Sequence, residues 1–286
     1  MAVNIVNPYH PMSIISGNSL GQGLVCAVFA NEGAGQLTEL VTNTPLPLTG
    51  SGARKAFNFG WGLDCSVANN SGAQGSVPGS SVILGSPGSF SIYCRIAFTG
   101  STPTLSAPIF GLIDTAGSYG NQADEALISV SNGGGSLTTA IGWVLGNGNF
   151  SQYTSSVGIN TTPRDVLLTC NGAFGVSLDV RMYENGVFIG NSSPTNSINI
   201  TSSAKLVVGQ QSGYSANSQV WFSHGMIWNR ALTAAEALQL NANPYQMFQT
   251  RRRKFVGIGS GGSSIKFRRS LSQYGTGAGK RQSIGV

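Results

Sequence analysis

The sequence predicts an all-β fold: two stacked antiparallel sheets in a jelly-roll sandwich, closed by one short helix towards the C-terminus. Three observations carry this. Short apolar runs alternate with Gly, Ser and Asn turns from Leu24 to Phe248, the punctuation of a many-stranded sandwich rather than of helices. Only 9% of the 286 residues are charged, 41% are hydrophobic and 40 are Gly, whereas a disordered chain carries less apolar content and more charge. Finally, a single capped helix follows the last long apolar run.

The elements follow in order. Residues 1–22 read as an extended arm, because Asn7-Pro-Tyr-His-Pro11 cannot be helical and Ser16-Gly-Asn-Ser-Leu-Gly21 is loop. The body, 23–248, contains thirteen expected strands: 24–30, 54–60, 81–84, 90–98, 108–114, 126–130, 138–145, 165–170, 176–183, 186–190, 197–201, 205–209 and 219–229. Glu184-Asn185-Gly186 is the clearest hairpin turn, since Asn-Gly supplies two residues tolerant of positive φ. The last strand alternates around Trp221, Met226 and Trp228, residues suited to a pleated, half-buried surface. Thr233 is the expected N-cap and Glu236 the returning partner of a capping box, with Leu232 and Ala237 placed as a hydrophobic staple. Asn243-Pro244 ends the helix, because proline cannot continue it and disfavours helical backbone at the residue before.

Residues 249–286 change character and read as a basic extended arm. Arg251, Arg252, Arg253, Lys254, Lys266, Arg268, Arg269, Lys280 and Arg281 give it nine positive charges and no acid. The other seven of the 16 basic residues and all 10 acidic ones lie before it, so the body carries a net charge of −3. Phe255-Val-Gly-Ile258 and Ile265-Lys-Phe-Arg-Arg269 are short extended candidates, but a tail this rich in Gly and Ser cannot build its own core. Docking onto an acidic protein surface, with strand addition to a neighbour's sheet, is the first expectation for these cations. Contact with nucleic acid phosphates is the second. A membrane-surface role lacks an amphipathic helix. No signal peptide is expected after Met1-Ala-Val-Asn-Ile-Val6, and no apolar run reaches the ~20 residues that span a bilayer.

The phrase Ile227-Trp-Asn-Arg-Ala-Leu-Thr-Ala-Ala-Glu236 resembles the closing motif of laminin-G-like, concanavalin A-like β-sandwich domains. Asn243-Pro-Tyr-Gln-Met-Phe248 with the basic stretch behind it is similar to the form found in many tailed-bacteriophage proteins. His10-Pro11, Gly23-Leu-Val-Cys-Ala-Val-Phe29 and Asn31-Glu-Gly-Ala-Gly35 resemble that family's opening strand and turn. Ala56-Phe-Asn-Phe59 stands in place of its second strand, Phe90–Phe98 of a central strand, and Val180–Ile189 of its strand–Asn-Gly–strand hairpin. The likeness runs from about residue 10 to about residue 250. It implies a concanavalin A-like fold in a non-enzymatic structural protein of a tailed-phage particle, made in the host cytoplasm and located in the virion. A capsid decoration protein anchored by its terminal arms is the first expectation. Its partners would be other capsid or tail proteins, with the chain as a homo-oligomer or arrayed copies. The alternative is a glycan- or receptor-binding module of a tail or fibre.

Concanavalin A-like folds include glucanases, which need two clustered carboxylates. Here no strand offers two acids at i and i+2, and the adjacent Asp124 and Glu125 would point to opposite faces. Catalytic residues are therefore not expected. His10 and His224 are the only histidines and show no zinc-ligand spacing; His224 reads as a satisfied, half-buried ring in the last strand. Cys26, Cys65, Cys94 and Cys170 lie far apart without a CxxC pair and read as buried free thiols. Laminin-G-like relatives often bind Ca²⁺, for which Asp114, Asp124 and Glu125 are weak candidates, equally well explained as soluble loop residues. No cofactor is otherwise expected. For a glycan, Trp61, Tyr119, Trp143, Tyr153 and Tyr214 stand beside Gly, Asn and Ser loops where an aromatic platform could form. Core positions for Trp61 and Trp143 are the favoured reading against this.

Overall fold

The computed structural model describes residues 12–15, 17–30, 36–49, 53–57, 60–67, 72–76, 88–100, 107–113, 126–131, 140–145, 150–154, 160–173, 177–194, 204–209 and 218–250. The expected strands 81–84 and 197–201, the turn at 31–35 and the tail from Arg251 onward lie outside them. Among the described residues the elements are β1 (Met12–Ile14), β2 (Leu24–Phe29), β3 (Leu37–Glu39), β4 (Thr44–Leu46), β5 (Leu48–Thr49), β6 (Ala53–Phe57), β7 (Gly60–Asp64), β8 (Gly72–Ser76), β9 (Phe90–Phe98), β10 (Ala107–Ile113), β11 (Ala126–Ser131), β12 (Ala140–Leu145), β13 (Phe150–Thr154), β14 (Arg164–Ala173), β15 (Ser177–Glu184), β16 (Val187–Ser192), β17 (Lys205–Gly209), β18 (Val220–Trp228), α1 (Ala234–Ala242) and β19 (Phe248–Thr250). A 3-10 turn, Ser19–Gly21, precedes β2.

Every strand pair is antiparallel, and the strands form two large sheets. One runs β13-β12-β11-β10-β17-β8-β5; the other runs β16-β15-β14-β9-β18-β2-β3-β4, with the β6–β7 hairpin joined to β18 through β7. The fold is the expected two-sheet β-sandwich with one short helix. Its inner core is set by strand alternation. Phe90, Ile92, Cys94, Ile96 and Phe98 of β9 pack with Val166, Leu168 and Cys170 of β14 and with Ile109, Phe110 and Leu112 of β10 across the sandwich. Gly225 on β18 has to be small, because a Cβ there would lie 2.7 Å from the Phe110 ring. All four cysteines are buried free thiols inside this core.

Strand β18 is apolar on both faces, and a bulge decides which residues face where. Pairing with β9 shifts between Phe222 and His224, so one extra residue, Ser223, reverses the alternation. Phe222 and Ile227 belong to the inner core, while Met226 and Trp228 belong to a second apolar cluster on the outer face. That cluster is covered by α1 through Ala237 and Leu240, by Leu20 of the 3-10 turn and by Met247. The helix starts as the sequence predicts: Thr233 accepts from the Glu236 N–H, Glu236 returns a bond to the Thr233 N–H, and Asn243 is the C-cap. Leu232 and Ala237 are both buried there.

Residues 12–15 and 17–22, within the stretch read as an arm, are joined to the body. Strand β1 pairs with β19, Met12 opposite Thr250, and the Ile15 N–H donates to the Met247 carbonyl at 2.8 Å. The Trp228 indole N–H donates to the Leu20 carbonyl at 2.6 Å. Other departures have local causes. The expected strand 54–60 is two strands, β6 and β7, with Gly60 at φ +112° opening the second. Strands β3, β4, β5, β8 and β13 were not expected; Thr44-Pro-Leu46 and Gly72-Ala-Gln-Gly-Ser76 are poor strand formers held by their neighbours. Asn185 and Gly186 adopt φ of 51° and 77° in the β15–β16 turn, as the Asn-Gly pair predicts.

Trp228→Phe removes the buried donor to Leu20 and is expected to cost ~1–3 kcal/mol, plus a smaller packing loss, lowering the denaturation midpoint at constant m. Trp221→Phe should cost less, because the Trp221 indole N–H has no hydrogen-bond partner among the described residues. Equal costs for the two substitutions would contradict the role given to Trp228.

Candidate functional site

A cleft of about 500 Å³ opens over β14 and β15 on the outer face of the larger sheet. Its floor follows from alternation. Leu178, Val180 and Met182 of β15 enter the inner core, which leaves Asp179, Arg181 and Tyr183 on the other face. On β14, Thr169 and Asn171 take the same face, and register sets them directly across from Arg181 and Asp179. Four polar side chains thus form a two-by-two array, with Tyr183 at one end. Arg181 binds Asp179 Oδ2 through Nε at 2.9 Å and through a terminal nitrogen at 2.7 Å. Ser89 Oγ donates to Asn171 Oδ1 at 2.9 Å. Neither Asp179 Oδ1 nor the Asn171 amide nitrogen has a partner among the described residues.

The wall is the segment Arg230–Ala234 leading into α1. It is fixed from both sides. Ser91 Oγ donates to the Arg230 carbonyl at 2.9 Å and accepts from the Leu232 N–H at 2.8 Å. The Arg230 guanidinium donates to both Glu236 oxygens, at 2.6 and 3.0 Å, and to the carbonyls of Ser19 and Gln22. Burial pulls the Glu236 carboxyl upward, but the hydrogen bonds from Arg230 and Thr233 outweigh it and hold the group below its ordinary pKa. The capping box and this ion pair share one carboxylate, so the wall is as rigid as the helix start.

The expected site residues are not gathered here. Trp61 is 45% exposed on the β6–β7 hairpin, which corrects its core reading, and it does not line the cleft. Trp143 and Tyr153 lie on β12 and β13 of the opposite sheet. Tyr119, Tyr214, the Ca²⁺ candidates Asp114, Asp124 and Glu125, and the tail cations from Arg251 to Arg281 all lie outside the described residues. Among the described residues no His, Cys, Asp and Glu cluster could hold a metal, and no helix is long and apolar enough to cross a membrane. The cleft residues Asn171, Asp179, Arg181 and Tyr183 went unrecognised in the sequence. The signal was there in Ser177-Leu-Asp-Val-Arg-Met-Tyr-Glu184, whose alternation puts every polar side chain but the terminal Glu184 on one face.

Comparison with known proteins agrees on the architecture. No protein-family model matches the chain, and no curated protein matches it either. Among solved structures, domain 4 of AbnA, an extracellular GH43 arabinanase of Geobacillus stearothermophilus solved with arabinotriose, is similar at TM-score 0.53 and 16% identity, over 76% of this chain and 98% of that domain. Trypanosoma rangeli sialidase is similar at TM-score 0.55 and 15% identity over 79% of this chain, which spans 33% of the sialidase. The binding domain of botulinum neurotoxin serotype D/C is similar at TM-score 0.56 and 12% identity over 77% of this chain and 52% of that domain. The chain shares their β-sandwich, jelly-roll fold.

Beside the cleft, on the same outer face, lies a buried polar cluster that explains His224. The bulge at Ser223 turns this ring outward under Tyr245, where it is fully buried rather than half-buried. Tyr93 donates its hydroxyl proton to Asp165 at 2.7 Å, so it can only accept from His224 Nε2, 3.3 Å away. His224 Nδ1 is then the acceptor, and the hydroxyls of Ser223 and Tyr245, at 3.0 and 3.1 Å, share its single lone pair. Burial, followed by the nearby Arg95 cation, pushes the His224 pKa down to about 3. Asp165 is raised by burial, against the opposing pull of Arg95 and Tyr93.

A neutral buried His224 has a definite stability signature. Between ~6.5, the ordinary histidine value, and its depressed folded value, only the unfolded chain binds this proton. Stability from His224 is complete above that window and falls with pH inside it, by up to ~1.4 kcal/mol per unit. Asp165 acts in the opposite sense, so the difference between wild type and His224→Gln isolates the effect. Chemical denaturation from pH 7 to 4.5 should show a flatter acid slope in the variant; an unchanged slope would contradict a neutral His224.

Proposed function

We propose that the body of this chain is a non-catalytic carbohydrate-binding module whose site is the cleft over β14 and β15. The observation that carries this reading is the array of Asn171, Asp179 and Arg181 beside the buried Thr169, open to solvent and with hydrogen-bonding capacity unspent among the described residues. Sugar hydroxyls each donate and accept, so they suit a donor such as the Asn171 amide beside an acceptor such as Asp179 Oδ1. Binding is favoured over hydrolysis because Asp179 is the single carboxylate lining the cleft among the described residues and is tied to Arg181. A glycosidase needs a second carboxyl, ~5–5.5 Å away for retention or ~6.5–9.5 Å for inversion. The AbnA domain, solved with arabinotriose, lends support from a similar fold.

A second reading concerns where such a module acts. The split between a body of net charge −3 and a tail with nine cations and no acid favours a particle component, with residues 249–286 docking on an acidic protein surface. In this reading the chain decorates a tailed-phage capsid or sits on its tail, and the cleft faces outward.

Two tests follow. On a glycan array the purified chain should bind at least one oligosaccharide class, and Asp179→Ala should weaken that binding at least ~10-fold, the scale of a lost charge-assisted hydrogen bond. Silence across the array would overturn the glycan reading. Deleting residues 251–286, which spares β19, should abolish incorporation into purified phage particles, and normal incorporation would overturn the docking role of the tail.

A further inference from the structure

We infer that the ligand of the cleft is a neutral oligosaccharide, its hydroxyls held by Asn171 and Asp179 and a further ring stacked on Phe188. This deepens the glycan reading and rests on it. The first argument is charge. Among the described residues the cleft is lined by three charged ones, Asp179, Arg181 and Arg230. Arg181 is bound twice to Asp179, and Arg230 spends four of its N–H donors on Glu236, Ser19 and Gln22. With Glu236 behind Arg230, the local charge sums to zero. A carboxylate or sulfate taken up by the N–H donors that Arg181 keeps would lie beside the Asp179 anion, a like-charge contact. Neutral hydroxyls meet no such repulsion.

The second argument is extent. Tyr183 lines the cleft, and its register partner on the edge strand β16 is Phe188. The two rings meet edge to face, 5.8 Å apart, and Phe188 is 51% exposed, with Val187 exposed beside it. An exposed aromatic face continuous with a polar cleft suits the apolar face of a sugar ring. From Asp179 to Tyr183 is four residues of strand, about 14 Å at ~3.4 Å per residue, with one further strand to Phe188. A single sugar ring does not bridge that length, so the ligand has two rings or more. On β16, Asn191 sits opposite Arg181 and is exposed, extending the hydrogen-bonding face to the sheet edge.

The test is calorimetric titration of the full chain with arabinotriose, cellotriose, mannotriose and maltotriose, and with sialyllactose and trigalacturonate. At least one neutral trisaccharide should bind, more tightly than its monosaccharide, and both acidic ligands should bind at least tenfold more weakly. Phe188→Ala should weaken the neutral ligand at least tenfold while the melting temperature, a control for folding, stays close to wild type. Preference for an acidic ligand, or neutral binding indifferent to Phe188→Ala, would overturn the inference and leave the glycan reading intact. Silence from every ligand in both this panel and the wider array would overturn both.

Discussion

The structure turns on the burial of both faces of the β9–β18 pair. Phe222, Ile227, Ile92 and Ile96 fill the space between the sheets, and Tyr93, Met226 and Trp228 fill the opposite face. A sheet apolar on both sides needs a second cover. The chain supplies it with a capped helix after the last long strand and a 3-10 turn before the first, the turn tied to β18 by the Trp228–Leu20 hydrogen bond. The extra residue at Ser223 makes this possible, because it switches the alternation midway along β18. Once α1 is seated on the outer face, its entry segment Arg230–Ala234 stands beside β14 and β15. The cleft is therefore a by-product of closing the second core.

Among the described residues charges are few and mostly spent inside the fold. Arg164 and Glu184 pair at 3.4 Å with both side chains fully buried, and the Arg164 guanidinium lies 4.6 Å from the Phe98 ring centroid. Glu39, also buried, accepts backbone N–H groups from Ala27, Val41 and Thr42 and so braces the turn after β3. These groups rigidify edges and turns. Removing one member of a buried pair strands its partner, at several kcal/mol. By contrast Asp179, Asn171 and Arg181 keep hydrogen-bonding capacity facing solvent, and that contrast is what separates the cleft from the rest of the polar network.

Features with local causes were legible in the sequence. The capping box at Thr233 and Glu236, the Pro244 stop, the Asn185-Gly186 turn and the apolar run Phe90–Phe98 each depend on a few neighbouring residues, and each appears as read. Strands β4 and β8 were invisible because Pro45 and the glycines of Gly72–Ser76 have no strand preference of their own; pairing across the sheets holds them. The cleft was hidden for a related reason. Register brings Thr169 and Asn171 opposite Arg181 and Asp179, and its wall comes from Arg230, far along the chain. Aromatic residues near loops drew attention instead, and Trp61, although exposed, stands away from the polar array.

The central claim is that the outer face of β14, β15 and β16 is the binding surface. Amide and side-chain NMR shifts of the chain, followed through titration with a bound neutral trisaccharide, test this most directly. Perturbations should centre on Asn171, Asp179, Arg181, Tyr183 and Phe188, with Trp61 unmoved. Shifts centred on Trp61, or on the β12 and β13 residues Trp143 and Tyr153, with the β14–β15 face silent, would contradict it.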